Sequence, residues 1–288
     1  MIKNIIISVI SSLLLTGILP LETKAETVLE EIQETGLLKV GIRMDAVPFG
    51  YIGSDSQLTG VCVDFISVLK EQIKQATNRD IITVKLFQST LFNRFELVEK
   101  ELVHIECGPN TIREVDNVTF SQPFFVTGTQ LLIKKENEKN INLVSGMENV
   151  RIGVLRNSTS EELITKNYPQ AQIQTYQGVT GRVRGVEAVI KDEIDAFASD
   201  GILLIGETIN QGVTLTDYKL IPEKPLSCEY YGMILPQNDS EWENLVNYVI
   251  QNTPKERLFK SWFDVLETYI LNNQQFCGEV KILEEEKN

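Results

Sequence analysis

Apolar and polar positions along this chain fall into blocks that read alternately as strand and helix. Leu37-Leu38-Lys39-Val40-Gly41-Ile42-Arg43 is a short apolar run that predicts a strand, and Pro48-Phe49-Gly50-Tyr51 predicts a turn carrying two aromatics. Val61, Phe65, Val68, Leu69 and Ile73 then recur at helical spacing just after Thr59-Gly60. A β-branched strand is predicted over 81–87, a short helix over 91–101 and a strand over 102–106. A polar, charged segment at 134–140 interrupts the pattern, and the same grammar restarts beyond it. Strands are predicted over 150–155, 171–176 and 194–198, with helices over 158–166 and 181–191 between them. Helices follow over 241–250 and 254–269, and the charged stretch 279–288 reads as a frayed end. Strands alternating with helices argue for open, largely parallel α/β sheets. Two such units separated by a polar joint argue for two lobes. Ligands of open α/β sheets sit beyond the carboxyl ends of the strands, so a crevice between the lobes is the expected site.

The remaining features bound the compartment and the class of partner. Lys3, the apolar run at 5–19 and Thr23-Lys24-Ala25 read as an export signal cleaved after residue 25, which predicts a periplasmic or extracellular protein. The run is short for a membrane span. A net charge of −13 and a pI near 4.7 argue against nucleic acid and anionic membrane surfaces as partners. Any anion this chain binds must meet a local cluster of cations. Cys62, Cys107, Cys228 and Cys277 form an even set, which in an exported chain favours disulfides over metal ligands. Their pairing is open at this level, since four cysteines allow three arrangements. There is one histidine, His104, and there is no CxxC, GxSxG, P-loop, HExxH or GxGxxG. No cofactor is expected.

Several polar residues stand where strands and helices end. The segment Ile105-Glu106-Cys107-Gly108-Pro109-Asn110-Thr111-Ile112-Arg113 reads as a strand ending in a turn. That turn offers backbone groups, a hydroxyl and a guanidinium, and Arg binds a carboxylate through two parallel hydrogen bonds. Ser158 and Thr159 open a helix, where they serve equally as a cap for their own amides or as part of an anion site. Asp200, just past a strand, is either a helix cap or a partner for an ammonium group. Phe49 is either core or an apolar wall beside a ligand. Arg43, Arg94 and Arg182 each stand where an element end meets the crevice or the solvent.

In order along the chain, these segments resemble the extracellular solute-binding proteins that deliver polar amino acids to ABC importers. The resemblance rests on Gly36-Leu37-Leu38-Lys39-Val40-Gly41, Val47-Pro48-Phe49 and Gly60-Val61-Cys62-Val63-Asp64-Phe65. It continues through Cys107-Gly108-Pro109-Asn110-Thr111 with Arg113, and Phe120-Ser121-Gln122-Pro123-Phe124. Asp195-Ala196-Phe197-Ala198-Ser199-Asp200, Tyr231-Gly232-Met233 and Trp262-Phe263 complete it. The implied fold is the two-lobed, type II periplasmic-binding-protein fold, with two open α/β domains joined by a two-strand hinge. The implied division is a signal over 1–25, one lobe from 26–130 and 232–280, the other from 131–231, and a disordered tail over 281–288. The chain would cross between lobes near 127–134 and 227–235.

The resemblance further implies a monomeric, non-enzymatic protein that hands one amino acid to a permease. It assigns Arg113, supported by Thr111, to the ligand α-carboxylate, and counts Pro109 of the same motif among the ligand-binding residues. It assigns Asp200 to the α-ammonium, and Ser158 and Thr159 to contacts from the second lobe. The glutamate/aspartate-binding branch looks most similar, and there Arg43 and Arg94 would face a side-chain carboxylate, with Arg182 as a further basic contact. Cys228 and Cys277 fall where glutamate-receptor domains carry a disulfide, which leaves Cys62 for Cys107. Two departures stand out: the spacing from Thr111 to Arg113 is shorter than the family pattern, and Asn157 replaces a usual Gly. Two alternatives share the fold, a cyclohexadienyl (prephenate or arogenate) dehydratase and a soluble amino-acid sensor domain.

Overall fold

A computed structural model describes residues 26–214 and 216–285, so the expected export signal lies outside the described residues. In the first lobe, Leu37–Arg43 runs parallel to Thr83–Ser89 on one side and to Ile105–Cys107 on the other. Ile234–Pro236 joins antiparallel to Ile105–Cys107, and Val118–Phe120 lies antiparallel beyond it. The second lobe repeats this arrangement. Arg151–Leu155 is parallel to Gln172–Tyr176 and Ala196–Asp200, and Thr129–Lys134 and Tyr218–Ile221 extend the sheet antiparallel. Each sheet is therefore parallel in one half only. The antiparallel half is built from chain entering or leaving the crossings between lobes.

Those crossings pair with each other, Phe125–Thr127 antiparallel to Glu229–Tyr231. The two-lobed α/β architecture expected from the pattern is the one observed. Several boundaries moved, for identifiable reasons. The strand expected over 81–87 runs Thr83–Ser89, in register with Leu37–Arg43, and Ile81 is left exposed. Two helices were not expected. Val28–Thr35 is opened by a reciprocal capping box between Thr27 and Glu30 and closed by Gly36 at φ 70°. Gly201–Asn210 is buried over most of its surface, so no amphipathic period marks it.

The first-lobe core gathers Leu38, Val40, Ile42, Phe65, Leu69, Ile73, Ile105 and Trp242. Ile202, Leu203 and Ile205 of the Gly201–Asn210 helix belong to the same cluster, although that helix leaves the second sheet. Leu204, between them, packs instead with Leu132, Val186, Val189 and Phe197. The helix is therefore shared between the lobes.

Disulfides join Cys62 to Cys107 and Cys228 to Cys277, the pairing implied by the resemblance. The first pins the Val61–Thr77 helix to the strand beside the loop that carries Arg113. The second pins the C-terminal helix Phe263–Glu285 to the second crossing, and Tyr269 of that helix bonds Thr127 of the first crossing at 2.8 Å. Closing a loop across the sequence separation of 45 between Cys62 and Cys107 constrains the unfolded chain by about 4 kcal/mol. The Cys62→Ser/Cys107→Ser variant should lose stability of about that size, read as a lower midpoint in urea denaturation, with a steeper dependence on urea because the uncrosslinked unfolded chain exposes more surface.

Candidate functional site

Between the lobes lies a narrow cleft, with a cavity volume of about 30 Å³, lined by Arg43, Leu91, Arg94, Pro109, Thr111, Arg113, Ser158, Thr159, Ser160, Arg182, Ser199, Asp200 and Leu203. Nine of the ten residues singled out from sequence stand in this lining. The tenth, Phe49, does not. It is fully buried behind the cleft, edge-on to Phe124, Phe125 and Tyr231 at ring distances of 5.9, 5.3 and 5.4 Å.

The arginines come from both lobes. Arg43 ends a strand and is 0% exposed, its Nε and Nη2 gripping the Asp45 carboxylate at 2.7 and 2.9 Å. Burial alone would raise the Asp45 pKa, but Arg43, and then Arg182, hold it below its ordinary value. Arg94 opens a short helix, is 6% exposed, and stands 4.8 Å over the Phe95 ring. Burial, reinforced by the charges of Arg43 and Arg113, pulls its pKa down to about 10. Arg182, at 4% exposure, begins a second-lobe helix and reaches across to donate from Nη1 to the Asp45 carbonyl at 2.7 Å. Arg43 Nη1, Arg94 Nε and Nη1, and Arg182 Nε are buried and have no hydrogen-bond acceptor among the described residues. Buried guanidinium donors left this way are costly, and their convergence in one cleft points to an anionic guest.

Arg113 differs. Its side chain keeps 39% of its exposure, and Nη1 sits 3.5 Å from Oε1 of Glu162 on the opposite lobe. The short turn does place it in the cleft lining, but at the mouth. The loop carrying it is stitched to the second crossing, Ile112 N–H to the Tyr230 carbonyl at 2.8 Å and Gly232 N–H to the Asn110 carbonyl at 3.0 Å.

Beneath the arginines, Glu106 is fully buried and accepts from Ser89 Oγ and Asn110 Nδ2, both at 2.5 Å. Burial raises its pKa, against the opposing pull of those hydrogen bonds and of Arg43 and Arg94.

In the second lobe, Ser158 caps its helix, accepting from Glu161 N–H at 3.1 Å and donating to the Leu155 carbonyl at 2.7 Å. The capping role is thus realised, while Thr159 and Ser160 also line the cleft. Asp200 occupies the N-cap position of the Gly201–Asn210 helix, yet its carboxylate accepts nothing from that helix. It accepts instead from the Tyr231 hydroxyl and from Ser160 Oγ, the latter at 3.4 Å. Burial, joined by the negative charge of Glu229, raises its pKa to about 7, although Tyr231 and Arg182 oppose the rise. Chemically, the cleft offers guanidinium donors beside a lone carboxylate, the complement of a zwitterion carrying additional negative charge. Sequence reasoning missed Leu91, Ser160, Ser199 and Leu203 in the lining, and Asp45, whose only signal is its place two residues after Arg43.

Because the folded-state pKa of Asp200 lies above its unfolded value of 3.8, its contribution to stability is complete below about pH 4 and is lost as pH rises toward 7. Ligand-free Asp200→Asn should therefore be more stable than wild type at pH 8, by on the order of 4 kcal/mol, with the difference closing toward pH 4. Urea titrations at the two pH values measure this, and a variant destabilised at pH 8 would contradict it.

The bacterial extracellular solute-binding proteins of family 3 match residues 38–265. The glutamate/aspartate import solute-binding protein of Escherichia coli K12 is 28% identical, over 83% of this chain and 79% of that protein. A glutamine-binding protein of Geobacillus stearothermophilus is 27% identical, over 74% of this chain and 78% of its own length. Among solved structures, the ancestral amino acid-binding protein AncCDT-1, a precursor of cyclohexadienyl dehydratase, superposes with a TM-score of 0.67 at 21% identity, covering 83% of this chain and 98% of that one.

Proposed function

The chain belongs to family 3 of the bacterial extracellular solute-binding proteins, and we propose that it is an exported receptor for an acidic L-amino acid, glutamate or aspartate. In this reading it captures the amino acid between its lobes and delivers it to an ABC-transporter permease. The observation that carries the acidic ligand is the set of buried guanidinium N–H groups without acceptors on Arg43, Arg94 and Arg182. One carboxylate on a bound ligand would engage some of these donors. A second carboxylate would engage the remainder, and its own loss of water would be offset by charge-assisted hydrogen bonds. The similarity to a glutamate/aspartate import protein supports the same choice.

The roles follow from where each group stands. Asp200, raised toward neutrality in the ligand-free cleft, takes the ligand ammonium and is ionised by it, displacing the Tyr231 hydroxyl as chief partner. Arg94, which opens its helix with both Nε and Nη1 unpaired, is the main anion clamp. Arg43 supplies Nη1 while Asp45 fixes its plane. Arg113, at the mouth and shared with Glu162, closes over the ligand together with Thr111. Ser158 is spent on its helix cap, so Thr159 and Ser160 supply the second-lobe hydroxyls. No bond to the ligand is made or broken; the free energy comes from binding the closed state better than the open one.

Isothermal titration of ligand-stripped protein tests this, with glutamate, aspartate, glutamine, cystine and prephenate as titrants. One-to-one binding of glutamate or aspartate is expected, weakened at least a hundredfold, about 3 kcal/mol, in Arg94→Ala. Preference for glutamine or cystine would overturn the acidic assignment, and turnover of prephenate would overturn the receptor.

A further inference from the structure

The cleft is closed by a second contact, away from the ligand-facing groups. Gly206 lies on the helix that the lobes share, and a Cβ built on it would stand 2.4 Å from the Val47 carbonyl oxygen, 2.7 Å from its carbon and 3.2 Å from Pro48 N. All three are backbone atoms, so no side chain can swing aside to make room. The turn they belong to is braced. Asp45–Ala46 pairs antiparallel with Gly50–Ile52, Phe49 N–H bonds the Ala46 carbonyl at 2.7 Å, and Ala46 and Val47 are buried. The same turn receives Arg182 of the second lobe on the Asp45 carbonyl. Before Gly206 in the helix, Ile202, Leu203 and Ile205 press into the apolar cluster of the first lobe, Ile209 after it packs against the same cluster, and Leu203 also reaches the cleft lining.

We propose that the 45–48 turn is a seat on which the Gly201–Asn210 helix lands, and that Gly206 sets how far the lobes close. This rests on the reading of the protein as an amino-acid receptor. Gly206 is a positioning residue: it touches no ligand, yet it governs affinity because the closed state alone assembles donors from both lobes. An added methyl costs nothing while the seat is empty, and alanine is the better helix former, so the open protein is unharmed. In the closed state the methyl collides with backbone. The lobes then stop short, and Asp200, Arg182 and Thr159 no longer reach a ligand held on the first lobe.

The test compares wild type with Gly206→Ala by titration calorimetry, by thermal unfolding without ligand, and by small-angle scattering with and without saturating amino acid. Glutamate and aspartate are the first probes. The variant should bind at least tenfold more weakly, contract less on saturation, and unfold without ligand at the same or a higher temperature. Ile205→Ala, which trims the landing face without adding bulk, should also weaken binding. Wild-type affinity within twofold together with full contraction in Gly206→Ala would overturn the proposal, as would wild type that binds ligand without contracting. If wild type binds another of the twenty amino acids instead, the acidic assignment fails, and the same comparison on that ligand still decides the seat. No binding and no contraction with any of the twenty would overturn both.

Discussion

Burying a guanidinium away from water costs several kcal/mol unless its N–H groups find acceptors, and this protein buries three in one cleft. Much of the surrounding architecture follows from that cost. Asp45 exists in its position to match Arg43, and the turn that carries Asp45 also presents the carbonyl that receives Arg182. Glu106, with Ser89 and Asn110 around it, supplies negative charge beneath Arg43 and Arg94 without reaching the cleft lining. Matching is incomplete: four buried nitrogen atoms on these three arginines have no acceptor among the described residues. A globally acidic chain has here made a locally basic hole.

The division of labour between sequence and structure follows physical lines. Long alternating segments such as Leu37–Arg43 and Val61–Thr77 were legible because each buries one face or both over many residues. The Val28–Thr35 helix was missed although Thr27 and Glu30 at capping-box spacing and Gly36 at its end signal it, because those signals lie next to the segment read as an export signal. The Gly201–Asn210 helix was not legible, because a segment buried by two lobes shows no polar face. Three-residue strands such as Val118–Phe120 and Ile234–Pro236 are too short for any period. For the cleft, residue types at element ends offered the arginines, Thr111, Ser158, Thr159 and Asp200 only as candidates; it was the resemblance to solute-binding proteins that pointed them at a ligand, and the structure lines one cleft with them. Sequence could not separate Phe49 in the core from Phe49 at the ligand, nor show that Arg113 sits at the mouth, since both depend on packing across the lobes.

The cleft also shows how one group changes meaning with context. Asp200 stands at a helix N-cap by backbone position, where a carboxylate ordinarily satisfies the amides of its own first turn. Here it turns away, toward Tyr231 and Ser160. Burial, with the negative charge of Glu229 on the second crossing added to it, raises its pKa to about 7. A cationic guest would be met by a group whose ionisation it completes. Ligand capture and proton release are then two faces of one event.

The C-terminal helix, finally, bears on how the lobes can move. It is fastened to one crossing by Cys228–Cys277 and touches the other through Tyr269 and Thr127, while the crossings are themselves paired. Such a splint resists sliding and twisting far more than it resists bending about a line through the crossings. A splint of this kind would favour one hinge axis over the others, like a door on a fitted pin. In the receptor proposed above, a ligand resting on the first lobe would not wait for the second to search orientations; it would wait for a swing along a single arc.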